Sequence, residues 1–149
     1  MTETEREASQ RVCAALDKDP TDPSLTIEPL VTLPHSFVAR VHNKDDRSIF
    51  KQAGGPGFAP GIRKELAVNR DVLSACPTPV GPALLAGDGN ATLPWMLFED
   101  LAGTHEVVSP QSPPLQRIEQ LVSALAASHA QARELDLRTL FANIEGDRH

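Results

Sequence analysis

Along the first half of the chain the spacing of apolar residues changes period twice, and each change marks a predicted element. Ala8, Val12, Ala15 and Leu16 fall on one face of a helix predicted over Glu3–Asp17, with Thr4 and Glu7 spaced as a capping box. Asp19-Pro20 and Asp22-Pro23 break it. The period then drops to two. A strand over Leu25–Val31 carries Leu25, Ile27, Leu30 and Val31, and Pro29 marks it as an edge strand, because proline has no N–H for a second ladder. From Phe37 to His42, Phe37, Ala39 and Val41 alternate with Val38 and Arg40. Asn43-Lys44-Asp45-Asp46 reads as a tight turn and Arg47–Ala53 as a third strand, completing an antiparallel meander.

The run Gly54-Gly55-Pro56-Gly57-Phe58-Ala59-Pro60-Gly61 reads as a flexible connector. Beyond it a helix is predicted over 62–75, Ile62 to Ala75, with Ile62, Leu66, Asn69 and Leu73 on one stripe and Glu65, Val68 and Val72 beside it. Cys76-Pro77-Thr78-Pro79 stops it. Val80–Ala86 reads as a strand, Gly87-Asp88-Gly89-Asn90 as a turn, and Thr92–Phe98 as a further strand whose apolar run implies cover on both faces. A polar crossing, Glu99–Ser112, runs into Pro113-Pro114. A last amphipathic helix, Leu115–Arg133, places Leu115, Ile118, Val122, Leu125 and His129 at heptad-like spacing, before a weaker helical pattern in the tail. The fold class is α+β: a five-stranded antiparallel sheet with one packed helix, an N-terminal helix before it and one further helix after it. The segments are 1–24, helix and linker; 25–101, sheet plus helix 62–75; and 102–149, crossing and final helix.

Composition narrows the function classes. The 149 residues are 40% hydrophobic and 23% charged, with a formal net charge of −6. Such a balance repels nucleic acid and anionic membrane, and no basic stripe with interleaved aromatics offsets it. No apolar run approaches the roughly 20 residues of a membrane span. The stretch Met1–Gln10 is too polar for a signal peptide, so the expected location is cytoplasmic. Cys13 and Cys76 have no metal-ligand spacing and read as small buried apolar residues. His35, His42, His105 and His149 share no ligand spacing either, and His129 reads as a packing residue on the final helix. No Ser-His-Asp set or paired carboxylates stand out, so neither a catalytic residue nor a metal ligand is assigned.

The candidate chemistry lies in an ordered set. Ser48-Ile49-Phe50-Lys51 puts a lysine on the third strand, and Glu65 follows near the start of the next helix. Met96-Leu97-Phe98-Glu99-Asp100-Leu101-Ala102-Gly103 closes the fifth strand and enters a linker. Each residue alone has a plain structural explanation: Lys51 as a solvated strand residue, Glu65 as a first-turn helix acid favoured by the dipole, and the linker as an acidic loop. Taken in order, over about Leu25–Ala132, the set resembles the N-terminal lobe of the protein-kinase-like fold in its aminoglycoside phosphotransferase branch. Leu125-Ala126-Ala127-Ser128-His129 is similar to the helix that begins that family's second lobe.

The resemblance implies ATP as the ligand. Lys51 would meet the α- and β-phosphates, and Glu65 would hold its ammonium still. The Glu99 carbonyl and Leu101 N–H would meet adenine at the hinge, with Met96 or Phe98 nearby. Between the first two strands the family has a flexible, often glycine-rich loop over the phosphates. Here Thr32-Leu33-Pro34-His35-Ser36-Phe37 has no glycine, and Pro34 removes a donor, leaving Ser36 and His35 to supply hydrogen bonds. The base aspartate and the Mg²⁺-holding Asn and Asp belong to the family's second lobe; Gly146-Asp147 echoes its His-Gly-Asp loop only by chance. The expectation is therefore the ATP-binding portion of a small-molecule phosphotransferase, truncated and inactive alone, with Mg²⁺ expected only beside a complete second lobe. Its partners would be the nucleotide and either a second polypeptide or another copy engaged through the last helix. The alternatives are a non-catalytic nucleotide-binding or regulatory domain, and an α+β interaction module.

Overall fold

A computed structural model describes residues 2–104 and 115–134. Five strands form one open antiparallel sheet: β1 (Leu25–Leu33), β2 (Ser36–Asn43), β3 (Asp46–Ala53), β4 (Leu84–Asp88) and β5 (Trp95–Glu99), in the spatial order β1-β2-β3-β5-β4. Helix α1 (Glu3–Ala15) precedes the sheet, α2 (Ala59–Ala67) lies between β3 and β4, and α3 (Leu115–Glu134) follows. The α+β class and the five-stranded antiparallel sheet expected from the alternation are present. Pro29 does sit on an edge strand, and the β1–β2 register shifts between Pro29 and Val31.

The sheet is covered on both faces. Ala8 and Val12 of α1 are fully buried against Phe37, Ala39, Val41, Phe50 and Leu97. Ile62 and Leu66 of α2 pack on Ala53, Met96 and Phe98 on the other face. The apolar run of β5 serves both layers: Leu97 points to α1, while Met96 and Phe98 point to α2. Trp95 stacks on Phe50, with ring centroids 5.8 Å apart. From α1, Arg11 reaches through to the Leu93 carbonyl at 2.8 Å and also donates to Oε1 of the fully buried Gln52.

Several boundaries differ from those the sequence predicts. The capping box of α1 is Thr2 with Glu5: Glu5 N–H donates to Thr2 Oγ1 at 3.2 Å and Thr2 N–H to Glu5 at 2.6 Å. Thr-x-x-Glu occurs twice in succession and the first copy makes the cap; the helix starts at Glu3 as expected and ends at Ala15 rather than Asp17. The connector after β3 is partly helical. A 3-10 turn, Pro56–Phe58, leads into α2 at Ala59, three residues earlier than Ile62, with Pro60 in the first turn where its missing N–H costs nothing. Past Ala67 the helix widens into a π-turn, Val68–Val72, and tightens into a 3-10 turn, Leu73–Ala75. There the Asn69 side-chain amide donates to the Glu65 carbonyl at 2.9 Å, the acceptor a regular α-turn would give to the Asn69 N–H.

Strand β4 begins at Leu84 rather than Val80 and runs through Gly87 and Asp88, both expected in a turn. A Cβ on Gly87 would come within 2.7 Å of Leu66 Cδ1 and 3.0 Å of the Trp95 carbonyl, so this glycine marks a close approach of strand and helix. β5 begins at Trp95 rather than Thr92. Cys13 is buried and Cys76 only half-buried; both are free thiols. His129, expected to pack, is exposed. Among the described residues no helix is long and apolar enough to cross a membrane. The expectations for His105, the crossing beyond Thr104, the tail, Gly146-Asp147 and His149 lie outside the described residues.

Candidate functional site

Register decides which side chains share a face. Val38 pairs with Lys51, and Lys51 with Met96, so these three point to the α2 side of the sheet. Helix α2 is seated there by Ile62 and Leu66, which brings Glu65 over β3. The Lys51 ammonium donates to both carboxylate oxygens of Glu65, at 2.8 Å to Oε1 and 2.7 Å to Oε2. The side chains retain 28% and 39% of their accessible surface. The cation is thus held at two points and still open to solvent on one side. A lysine and a glutamate fourteen residues apart, on a strand and a helix, form one clamp.

The rest of the face is graded from apolar to charged. Met96 is fully buried, Ile49 and Val38 are half-buried, and Val31 and Leu33 on β1 are exposed. Ser36 lies on the Lys51 face at the start of β2 and is buried beside Ala53. Glu99 lies at the opposite end, paired with Ser48. Three residue steps along β3 take Ser48 to Lys51, ~10 Å at the rise of a strand. The Glu99 side chain accepts from Ala83 N–H at 2.8 Å, while its own N–H donates to the Ala83 carbonyl at 3.0 Å, which fixes the lead-in to β4. Leu101 opens a short 3-10 turn, Leu101–Gly103.

That turn is fastened by a pair the sequence does not reveal. Asp100 accepts from Ala102 N–H at 2.9 Å and from Arg40 Nε at 2.8 Å. Arg40 projects from β2 on the Lys51 face, and its guanidinium also lies 3.7 Å from Glu28. The Asp100 carboxyl is held below the usual aspartate range, chiefly by the Ala102 N–H and next by Arg40, against an opposing effect of burial. The sign follows: an aspartate depressed in the folded state stabilises fully above its unfolded pKa, about 3.9, and loses that contribution as pH falls through the folded value. In thermal melts taken across the acid range, Asp100→Asn is therefore expected to show a shallower loss of stability below about pH 4 than the native chain. Superimposable acid profiles would count against this role.

The β1–β2 turn occupies the position of the expected phosphate loop, and it is pinned. Pro34 and His35 connect Leu33 to Ser36, and Gly54 N–H donates to the His35 carbonyl at 3.0 Å. A Cβ at Gly54 would stand 2.3 Å from the Pro34 carbonyl oxygen, whereas one at Gly55 would meet nothing within 4 Å. The His35 ring packs edge-on to Phe58, centroids 6.1 Å apart. The glycine that shapes this loop is therefore in the connector after β3. Gly54→Ala is expected to displace the turn and cost about 1–3 kcal/mol, while Gly55→Ala stays within about 0.5 kcal/mol, measured by denaturant unfolding.

Among the described residues no cluster of three or more His, Cys, Asp or Glu side chains could hold a metal ion. No family model, curated protein or solved structure matches this chain.

Proposed function

We propose that the α2-side face of the sheet binds a nucleotide, as the N-terminal lobe of an aminoglycoside-phosphotransferase-like kinase does. The observation that carries the reading is the two-point clamp of Lys51 by Glu65 on a surface still open to solvent. A surface lysine gains little from an isolated ion pair. A lysine fixed in one rotamer presents a localised positive charge to phosphate without ordering a flexible stem on binding. Beside it, Val38 and Ile49 supply an apolar floor for a base, and Glu99–Leu101 supplies backbone groups at the far end. In this reading Lys51 meets the α- and β-phosphates, Glu65 positions it, the Glu99 carbonyl and Leu101 N–H meet the adenine edge, and Ser36 stands near the phosphate end. Phosphoryl transfer would fall to a companion lobe that supplies the base and the Mg²⁺ ligands.

A second reading, a nucleotide-binding domain with a regulatory rather than a transfer role, is favoured by the glycine-free turn. Pro34 contributes no donor there, and the His35 carbonyl is already engaged by Gly54. Calorimetric titration with ATP and ADP, with and without Mg²⁺, tests the binding on which both readings rest. Saturable binding of either nucleotide supports them, and the absence of binding under every condition overturns both. Transfer of phosphate to small hydroxylated acceptors separates the first from the second.

A further inference from the structure

Helix α3 leaves an apolar stripe that nothing else in the described structure covers. Leu115, Ile118, Val122 and Leu125 are exposed, Leu115 by 71%, and Leu121 widens the stripe on one flank. Assigning Leu115 to the first seam position of a heptad puts Ile118, Val122, Leu125 and His129 in the alternating seam positions. The helix meets the body of the protein on another side. Gln131 Oε1 accepts from Thr78 N–H at 2.7 Å, and among its described side chains Ser128 and Gln131 are half-buried. At 3.6 residues per turn that side lies roughly a third of a turn from the seam. The seam therefore stays open to solvent while the helix is held along one flank.

We propose that this seam pairs with the α3 seam of a second copy of the chain, antiparallel. Charge placement selects both the occupant and its direction. Glu119 and Arg133 sit at the same flanking position two heptads apart, and both are exposed on the side away from the body. When the two helices run antiparallel with Val122 of one against Leu125 of the other, Glu119 of each lies on the same flank as Arg133 of the other, about 7.5 Å along the axis, and because helical side chains lean toward their own N-terminus the two lean toward one another, giving two symmetric opposite-charge pairs. Ile118 then faces His129. A parallel pair would bring none of these charges together and would stack His129 on His129. The seam is thus complementary to its own reverse, as an isologous two-fold contact requires.

Sedimentation equilibrium of the whole chain tests this. The native chain is expected to dimerise as its concentration rises, and Val122→Glu, at the centre of the seam, to remain monomeric with an unchanged melting temperature, because Val122 is exposed. Glu119→Arg alone and Arg133→Glu alone each convert both attractive pairs to repulsive ones and are expected to weaken self-association about tenfold or more. An equimolar mixture of these two variants restores two opposite-charge pairs and is expected to form a heterodimer tighter than either homodimer; the double variant Glu119→Arg/Arg133→Glu regains self-association. A native chain that stays monomeric into the hundreds of micromolar, as it would if another segment or another protein were the natural cover, overturns the proposal. A mixture no tighter than its components overturns the antiparallel pairing.

Discussion

Lys51→Ala is expected to weaken ATP binding by about ten- to a hundredfold while leaving the melting temperature nearly unchanged. The first half follows from what the side chain would do for phosphate. A hydrogen bond to a charged group contributes about 1.5–3 kcal/mol, and the other basic side chains that the register puts on this face are Arg40 and Arg47, of which Arg47 sits four residues along β3 beside Gly103. Arg40 is already committed to Asp100 and Glu28. The second half follows from exposure: the Lys51–Glu65 pair is partly solvated, and such pairs contribute about 0–1 kcal/mol to folding. Glu65→Gln keeps the shape but removes the negative charge and leaves the ammonium a single neutral acceptor, so a smaller loss of affinity than that of Lys51→Ala is expected. Adenosine, lacking phosphate, should bind both variants as it binds the native chain. Equal ATP affinities for the native chain and Lys51→Ala would remove Lys51 from the site and the proposed function with it.

Much of this arrangement was legible in the residue pattern because it is local. Alternation in Phe37–Val41, the turn at Asn43–Asp46 and the doubly apolar run of Trp95–Phe98 each fix a strand from its own residues, and together they imply an antiparallel sheet with cover on both faces. Features set by distant neighbours were not legible. Gly87 reads as a turn residue, yet it belongs to a strand because Leu66 and Trp95 crowd its α-carbon. Gly54 reads as part of a flexible connector, yet its missing side chain admits the β1–β2 turn twenty residues upstream. Arg40–Asp100 joins residues sixty apart and Arg11–Gln52 residues forty-one apart; nothing in either local window distinguishes those arginines from solvated ones. The same holds for the site. Lys51 and Glu65 stand out in the sequence as an ordered pair of opposite charges, whereas the Asp100 fastening of the Leu101–Gly103 turn does not.

The two faces of β5 give the second large effect and a way to separate stability from binding. Met96 and Leu97 are adjacent, both fully buried, and point to opposite helices. Truncation of either to alanine is expected to cost about 2–5 kcal/mol, the usual range for a large core side chain that leaves a cavity behind. That is a large part of the ~5–15 kcal/mol by which a domain of this kind is stable, so both variants should unfold at clearly lower denaturant concentration. Their binding should differ. Met96 supports Ile62 and Leu66, and Leu66 is the residue next to Glu65, so a cavity beneath it lets α2 settle and shifts the carboxylate that fixes Lys51. Leu97 packs with Phe50, Val12 and Ala8 on the far face, away from Lys51 and Glu65. At a temperature low enough to keep both variants folded, Met96→Ala is expected to lose nucleotide affinity and Leu97→Ala to retain it. Equal affinities would mean that the seating of α2 does not position the clamp, and that Lys51 must be held by something other than the helix above it.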